Sequence, residues 1–194
     1  MIVDSNLSFD EAIAGTDAPL DVIGKLCLVE VCYWSFDGKM HQGQLVVQKE
    51  LRQDLSDIFT LIQNTGFKVA QAIPLVKYGW SDDLSMANNN SSAFNYRFVA
   101  GTRRLSLHAA GRAVDINPYQ NPVIYKDGGS APPGASYNPA ADGTLQEGSP
   151  VVQLFKSRGW RWGGDFESVR DYHHFEKTPL DASTIPKAPQ RLLK

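Results

Sequence analysis

The chain has 194 residues, 42% of them hydrophobic and 21% charged, with a formal net charge of −2. A length of ~100–200 residues is that of one domain, and burial of roughly 70% of the extended surface lets such a chain hold a core without disulfides. The balanced charge, without strong clustering of Lys and Arg, argues against a nucleic-acid binder, which needs a basic face. No apolar run approaches the ~20 residues that span a bilayer.

The opening stretch, MIVDSNLSFDEAIAG, lacks a basic region followed by an apolar one. It does not read as a signal peptide, so the protein is expected to be cytosolic at birth or to have lost a leader. A short helix is expected near Phe9–Ala14. Lys25–Ser35, rich in Val, Leu, Tyr and Trp, reads as a strand, and FDGK and GQLVVQ read as its turn and returning partner. Cys27 and Cys32 fall on opposite faces of that strand and are expected to be buried, unpaired thiols. His41, alone after the hairpin, is expected at the surface.

From Leu51 the apolar period changes. Leu51, Leu55, Ile58, Phe59 and Ile62 have helical spacing, with Asn64 and Gly66 as the stop. Lys68–Val76 is a predicted strand, Ser81–Ser92 a polar loop and Ala93–Gly101 a further strand. Arg112–Ile116 reads as a short strand, and Pro118–Gly148 as a long irregular segment of the kind that is usually functional or disordered. Ser149-Pro150 opens a helix ended by Gly159, and YHHFE is a final strand. Strands and helices mix without βαβ regularity, so the fold class is α+β.

Three of the four histidines lie in two short pieces, SLHAAGRAVDINP (Ser106–Pro118) and DYHHFE (Asp171–Glu176). A catalytic zinc takes three protein ligands and leaves one position for water. His108 and Asp115 fit a histidine on a loop, a turn at Gly111, and an aspartate on the strand leaving it, with Val114 and Ile116 facing the core. His173 and His174 point to opposite sides, so only one readily joins. Asp171 is the carboxylate placed to take a proton from water.

These residues resemble the zinc D,D-carboxypeptidases and L-alanyl-D-glutamate endopeptidases that cut peptidoglycan stem peptides. The first motif of that family, S-x-H-x-x-G-x-A-x-D, reads here as Ser106, His108, Gly111, Ala113 and Asp115, and D-x-x-H-F-E as Asp171, His174, Phe175 and Glu176. SSAFNYR, INPYQNP and GWRWGGDF also resemble the D-alanyl-D-alanine carboxypeptidase-like branch, so the likeness covers roughly Gly38 to Glu176.

The resemblance implies a hedgehog/D,D-peptidase-like fold: a small antiparallel sheet with packed helices and zinc in a surface groove. It implies a single zinc peptidase domain over 1–194, with 1–24 and 178–194 peripheral. It implies Zn2+ on His108, Asp115 and His174, with Asp171 as base. Arg97 would face the developing oxyanion, with a structural salt bridge as its alternative role and Arg103, Arg104 and Arg112 as substitutes. Ser106 would hydrogen-bond a ligand or simply hold its loop, Glu176 would support His174, Asp165 would orient a ligand histidine or, as favoured, cap a turn, and Trp160 and Trp162 would line the groove or, as favoured, be core. The expected substrate is a peptidoglycan stem peptide or muropeptide, and the expected location the cell envelope or periplasm. Carboxypeptidase action is favoured; endopeptidase action, including that of a phage lysin, and a non-catalytic zinc-holding module are the alternatives.

Overall fold

The structure, a computed structural model, describes residues 1–179; the rest of the expected peripheral tail lies outside the described residues. Strand β1 (Ile2–Val3) leads into helices α1 (Phe9–Ala12) and α2 (Leu20–Ile23), the first closed by a capping box between Ser8 and Glu11. The hairpin follows as β2 (Leu26–Trp34) and β3 (Met40–Gln48), turning at Asp37-Gly38. Because β1 runs parallel to β3, this sheet is mixed rather than wholly antiparallel. The ordering of β1 has a polar cause. Tyr33 donates to Asp4 Oδ2 at 2.6 Å, and His41 sits between Asp4 at 2.9 Å and Asp37 at 3.2 Å. His41 is thus a half-buried tether rather than a surface residue, and Cys27 and Cys32 are free but only half-buried.

Helix α3 (Arg52–Thr65) follows a helical turn at Lys49–Leu51 and ends at left-handed Gly66. Its stripe of Leu55, Ile58, Phe59 and Ile62 is buried against Val29, Val31 and Tyr33 of β2, as helical periodicity demands.

The next stretch departs from expectation. Lys68–Val76 yields only β4 (Gln71–Ala72), because Pro74 lacks an N–H and starts a helical turn at Leu75–Tyr78. The polar run after it holds α4 (Asp82–Ala87), whose first turn is capped by the Ser81 hydroxyl, and β5 (Asn90–Ser91), parallel to β4. Ala93–Gly101 is not a strand. Its backbone bonds one group at a time to Val46, His108, Arg104 and Ser106.

Strand β6 (Ala113–Asp115) comes next. The long irregular segment then holds β7 (Val123–Ile124) and β8 (Ser130–Ala131), and helix α5 (Pro150–Ser157) is capped by Ser149 with Pro150 in its first turn. Strands β9 (Arg161–Trp162), β10 (Arg170–Asp171) and β11 (His174–Glu176) follow as the last elements among the described residues. Two small antiparallel sheets result, ordered β6-β11-β9 and β10-β7-β8. Val114, Ile116 and Phe175 face the main core with Phe155, Trp160 and Trp162, and the rings of Phe155 and Phe175 stack at 3.7 Å. The class is α+β, with small sheets and few helices.

Asp54 on α3 locks Lys177, the residue after β11, to this core. It accepts from Lys177 Nζ at 2.8 Å, Trp160 Nε1 at 2.9 Å and Arg158 Nη1 at 3.2 Å. Burial pushes its carboxyl up, but these three donors outweigh it and leave the group below its ordinary value. The stabilisation is therefore present above the unfolded value of 3.8 and lost as pH falls through the lower folded one. Asp54→Asn is expected to cost about 1–2 kcal/mol at neutral pH, and urea melts should show the gap from wild type closing on acidification.

Candidate metal centre

Asp115 and His174 are cross-strand partners in the β6–β11 pair. Asp115 uses its own backbone on the other side: its N–H donates to Ser92 O at 2.8 Å, and its carbonyl accepts from Ser92 N at 3.0 Å. The pairing with His174 is therefore of the non-hydrogen-bonded kind, in which opposed side chains stand closest. Asp115 Oδ1 lies 2.9 Å from His174 Nδ1.

His108 enters from a helical turn at Leu107–Ala110. The Ser106 hydroxyl caps that turn by accepting from the His108 N–H at 3.2 Å, so Ser106 shapes the loop rather than touching the imidazole. Gly111 ends the turn with φ of 65°, and a Cβ there would stand 2.8 Å from Gln48 N and 2.6 Å from Leu26 Cδ2. Only glycine fits both the backbone conformation and the close approach. His108 Nε2 reaches Asp115 Oδ2 at 3.1 Å and His174 Nδ1 at 3.3 Å.

Hydrogen-bond accounting shows what this convergence needs. His108 Nδ1 faces the Ala93 carbonyl, and His174 Nε2 lies 3.3 Å from Glu176 Oε2. Both partners only accept, so those two nitrogens carry protons and His108 Nε2 and His174 Nδ1 turn lone pairs inward. Two lone pairs and a carboxylate, with ligand atoms all within 4.8 Å of one another, require a cation between them: a proton or a metal ion. His108, Asp115 and His174 can hold a metal, and an N,N,O donor set suits zinc.

The electrostatics agree. Burial alone would raise Asp115, but the charges of His108 and His173 and the bonds from His108 and His174 hold it well below the usual carboxylate range. Burial opposes the charging of His174, yet bonds to Asp115 and Glu176 push it up to about 10. Glu176 is lowered despite its burial, first by His174 and then by Arg161 and Arg104. His108 and Asp115 are almost wholly buried and the His174 side chain keeps 12% exposure, so the open edge of the cluster lies at His174, beside Phe166. A cavity of about 770 Å³ lies elsewhere, around Lys25, Lys49, Arg112 and Lys177.

Asp171, on β10, stands outside the three-residue cluster, but its charge acts on His174. Its side chain is 23% exposed, and Oδ1 lies 3.0 Å from His173 Nε2. Burial would raise this carboxyl, yet His173 and then His174 hold it below its ordinary value. His173, whose environment the sequence does not reveal, is buried, and it is pushed up to about 9 against its burial, chiefly by Asp171. Arg97 pairs with Asp82 at 2.9 Å and makes no hydrogen bond or ion pair to the cluster among the described residues. Arg112 is buried against Gln48, Glu50 and the Lys177 carbonyl, a packing role that removes it as a substitute. Asp165 pairs with Lys156 at 2.7 Å on the surface.

Two supporting residues escape sequence reasoning. The Ala93 carbonyl is a backbone group without a side-chain signature. Asn121 gives its carbonyl to His173 Nδ1 at 2.8 Å, and its only sequence signal is the repeated Asn-Pro of INPYQNP.

Residues 100–177 match the family model described as D-alanyl-D-alanine carboxypeptidase. The match takes in both motif pieces, bearing out the family resemblance, and leaves out residues 38–99, which the resemblance had also included. No curated protein and no solved structure matches the chain.

Since His174 holds its proton at any pH below about 10, a metal entering at neutral pH must displace it. Zinc binding to the metal-free protein is expected to release a proton, seen by calorimetry in buffers of different ionisation enthalpy. Affinity should weaken about tenfold per unit of falling pH for each proton displaced.

Proposed function

We propose that this protein is a zinc-dependent peptidase of the bacterial cell envelope that removes the terminal D-alanine from peptidoglycan stem peptides. One observation carries the reading: two inward imidazole lone pairs and a buried carboxylate converge, with a separate aspartate close by and not among the ligands. The match to a D-alanyl-D-alanine carboxypeptidase family over both motif pieces supports the substrate class.

In this reading His108, Asp115 and His174 hold the metal in a surface groove at the His174 edge. Bound zinc supplies Lewis-acid polarisation of a carbonyl and a lowered pKa for water. Asp171, kept ionised by His173 and His174, accepts the proton of the attacking water and returns it to the leaving amine. Water adds to the peptide carbonyl, the C–N bond breaks, and the products are a shortened carboxylate and free D-alanine. Glu176 holds His174 in the tautomer that turns Nδ1 inward. Arg97, steadied by Asp82, supplies positive charge to the oxygen that becomes negative. Arg161 and Arg104 flank Glu176 at the open edge, where a chain-terminal carboxylate would need a cation.

Mass spectrometry of products from defined muropeptides tests the assignment. Release of D-alanine is expected; cleavage at L-Ala–D-Glu would make the protein an endopeptidase, and intact substrate with metal bound would leave a binding module. Asp171→Asn is expected to keep zinc and lower kcat by about 10²–10⁴-fold, and chelation should abolish turnover until zinc is restored. Normal turnover by Asp171→Asn would remove it as the base.

A further inference from the structure

Asp171 Oδ1 is buried, and among the described residues no group gives it a well-directed hydrogen bond. The polar atom recorded close to it is His173 Nε2, at 3.0 Å but outside good hydrogen-bond geometry. A carboxylate oxygen buried without a partner is destabilising, and the imidazole is the only described polar group recorded within reach of this one.

The imidazole is itself rigidly seated. His173 Nδ1 meets the Asn121 carbonyl at 2.8 Å, and the His173 carbonyl accepts from Ile116 N at 3.0 Å. Asn121 is fully buried. Its amide donates to the carbonyls of Ile116 at 3.0 Å, Asn117 at 3.2 Å and Gly143 at 3.0 Å, and its side-chain oxygen accepts from Leu145 N at 2.7 Å. A continuous chain of contacts therefore runs from both roots of the long 118–148 segment, through Asn121 and His173, to Asp171. From the other side, Gly163 packs so closely that a Cβ there would stand 2.3 Å from the Asp171 carbonyl oxygen. This blocks backbone movement but does not orient the carboxylate.

We propose that His173 is the positioning residue of Asp171: Nε2 holds Oδ1 and leaves Oδ2 turned to the reacting water, while the Asn121 carbonyl holds the ring. The role rests on the peptidase reading only for its catalytic consequence; the geometry stands without it. Neither His173 nor Asn121 ligates the metal.

Two variants separate the two ends of the ring. His173→Gln places a donor near Nε2 and gives up the Nδ1 contact; His173→Asn does the reverse. His173→Phe fills the ring volume with neither and serves if the Asn variant does not fold. Crystal structures of the zinc-loaded variants, metal content and muropeptide kinetics form the readout. His173→Gln is expected to keep the Asp171 rotamer and a kcat within about fivefold of wild type. His173→Asn or His173→Phe should let the carboxylate rotate and lower kcat by about 10–100-fold, with KM and zinc content unchanged. Equal kcat for Gln and Asn, or an unmoved Asp171 in the Asn and Phe variants, would overturn the proposal. If the wild type cleaves no muropeptide, the peptidase reading falls, and the rotamer of Asp171 in the variants still decides the positioning role.

Discussion

Asp115 and His174 face each other across two three-residue strands, and the site depends on that register. The segments are 59 residues apart in the chain, so nothing local brings them together. The pairing holds because the other face of each strand is committed: Val114, Ile116 and Phe175 are fully buried. A slip of one residue would turn Phe175 out of the core and His174 into it. The cost of exposing a stacked aromatic, about 2–3 kcal/mol, thus selects which of two adjacent histidines meets Asp115.

Given that register, the remaining parts are held by groups with no chemistry of their own. The strap at 92–95 binds Asp115 through the Ser92 backbone, His108 Nδ1 through the Ala93 carbonyl, and the His108 carbonyl through Asn95 N at 3.2 Å. Phe94 N ties the same strap to Val46 of β3 at 3.0 Å. The hairpin that makes the main core is therefore also the frame on which both inward-turned imidazoles are measured out. A rigid frame matters here, because two inward-turned imidazoles and a buried carboxylate can crowd together only around a cation, whether a proton or a metal ion.

Much of this was legible in the sequence where one physical signal dominated. The period of α3 and the Ser149-Pro150 start of α5 are strong local signals, and the structure follows them. The two motif pieces do come together, and the core face of β6 was readable because Val114 and Ile116 alternate with Ala113 and Asp115. Where the structure departs from these expectations, distant partners decide in some places and short local signals in others. Ala93–Phe98 has strand-like composition but bonds group by group to β3 and to the His108 turn. The capped helix at Asp82–Ala87 was lost in a polar run, although Ser81 before two aspartates is a start signal. His41 reads as isolated in the sequence because its partner Asp4 lies 37 residues away, and the setting of His173 depends on Asn121, 52 residues away.

The 118–148 segment is joined to the strand of Asp171 more intimately than its Gly/Pro-rich composition suggests. Strand β7 bonds directly to β10, with Val123 opposite Asp171, and Tyr137 stacks on Tyr172 at 3.7 Å with planes 9° apart. Among the described residues, its outer end around Lys126–Gly129 makes hydrogen bonds only within its own turn. The segment thus behaves as a cantilever, clamped at the root and free at the tip. Insertions or deletions near the tip can reshape the surface there while the contacts of Asn121, His173 and Asp171 stay as they are, whereas a single change at the clamped roots would be felt at Asp171.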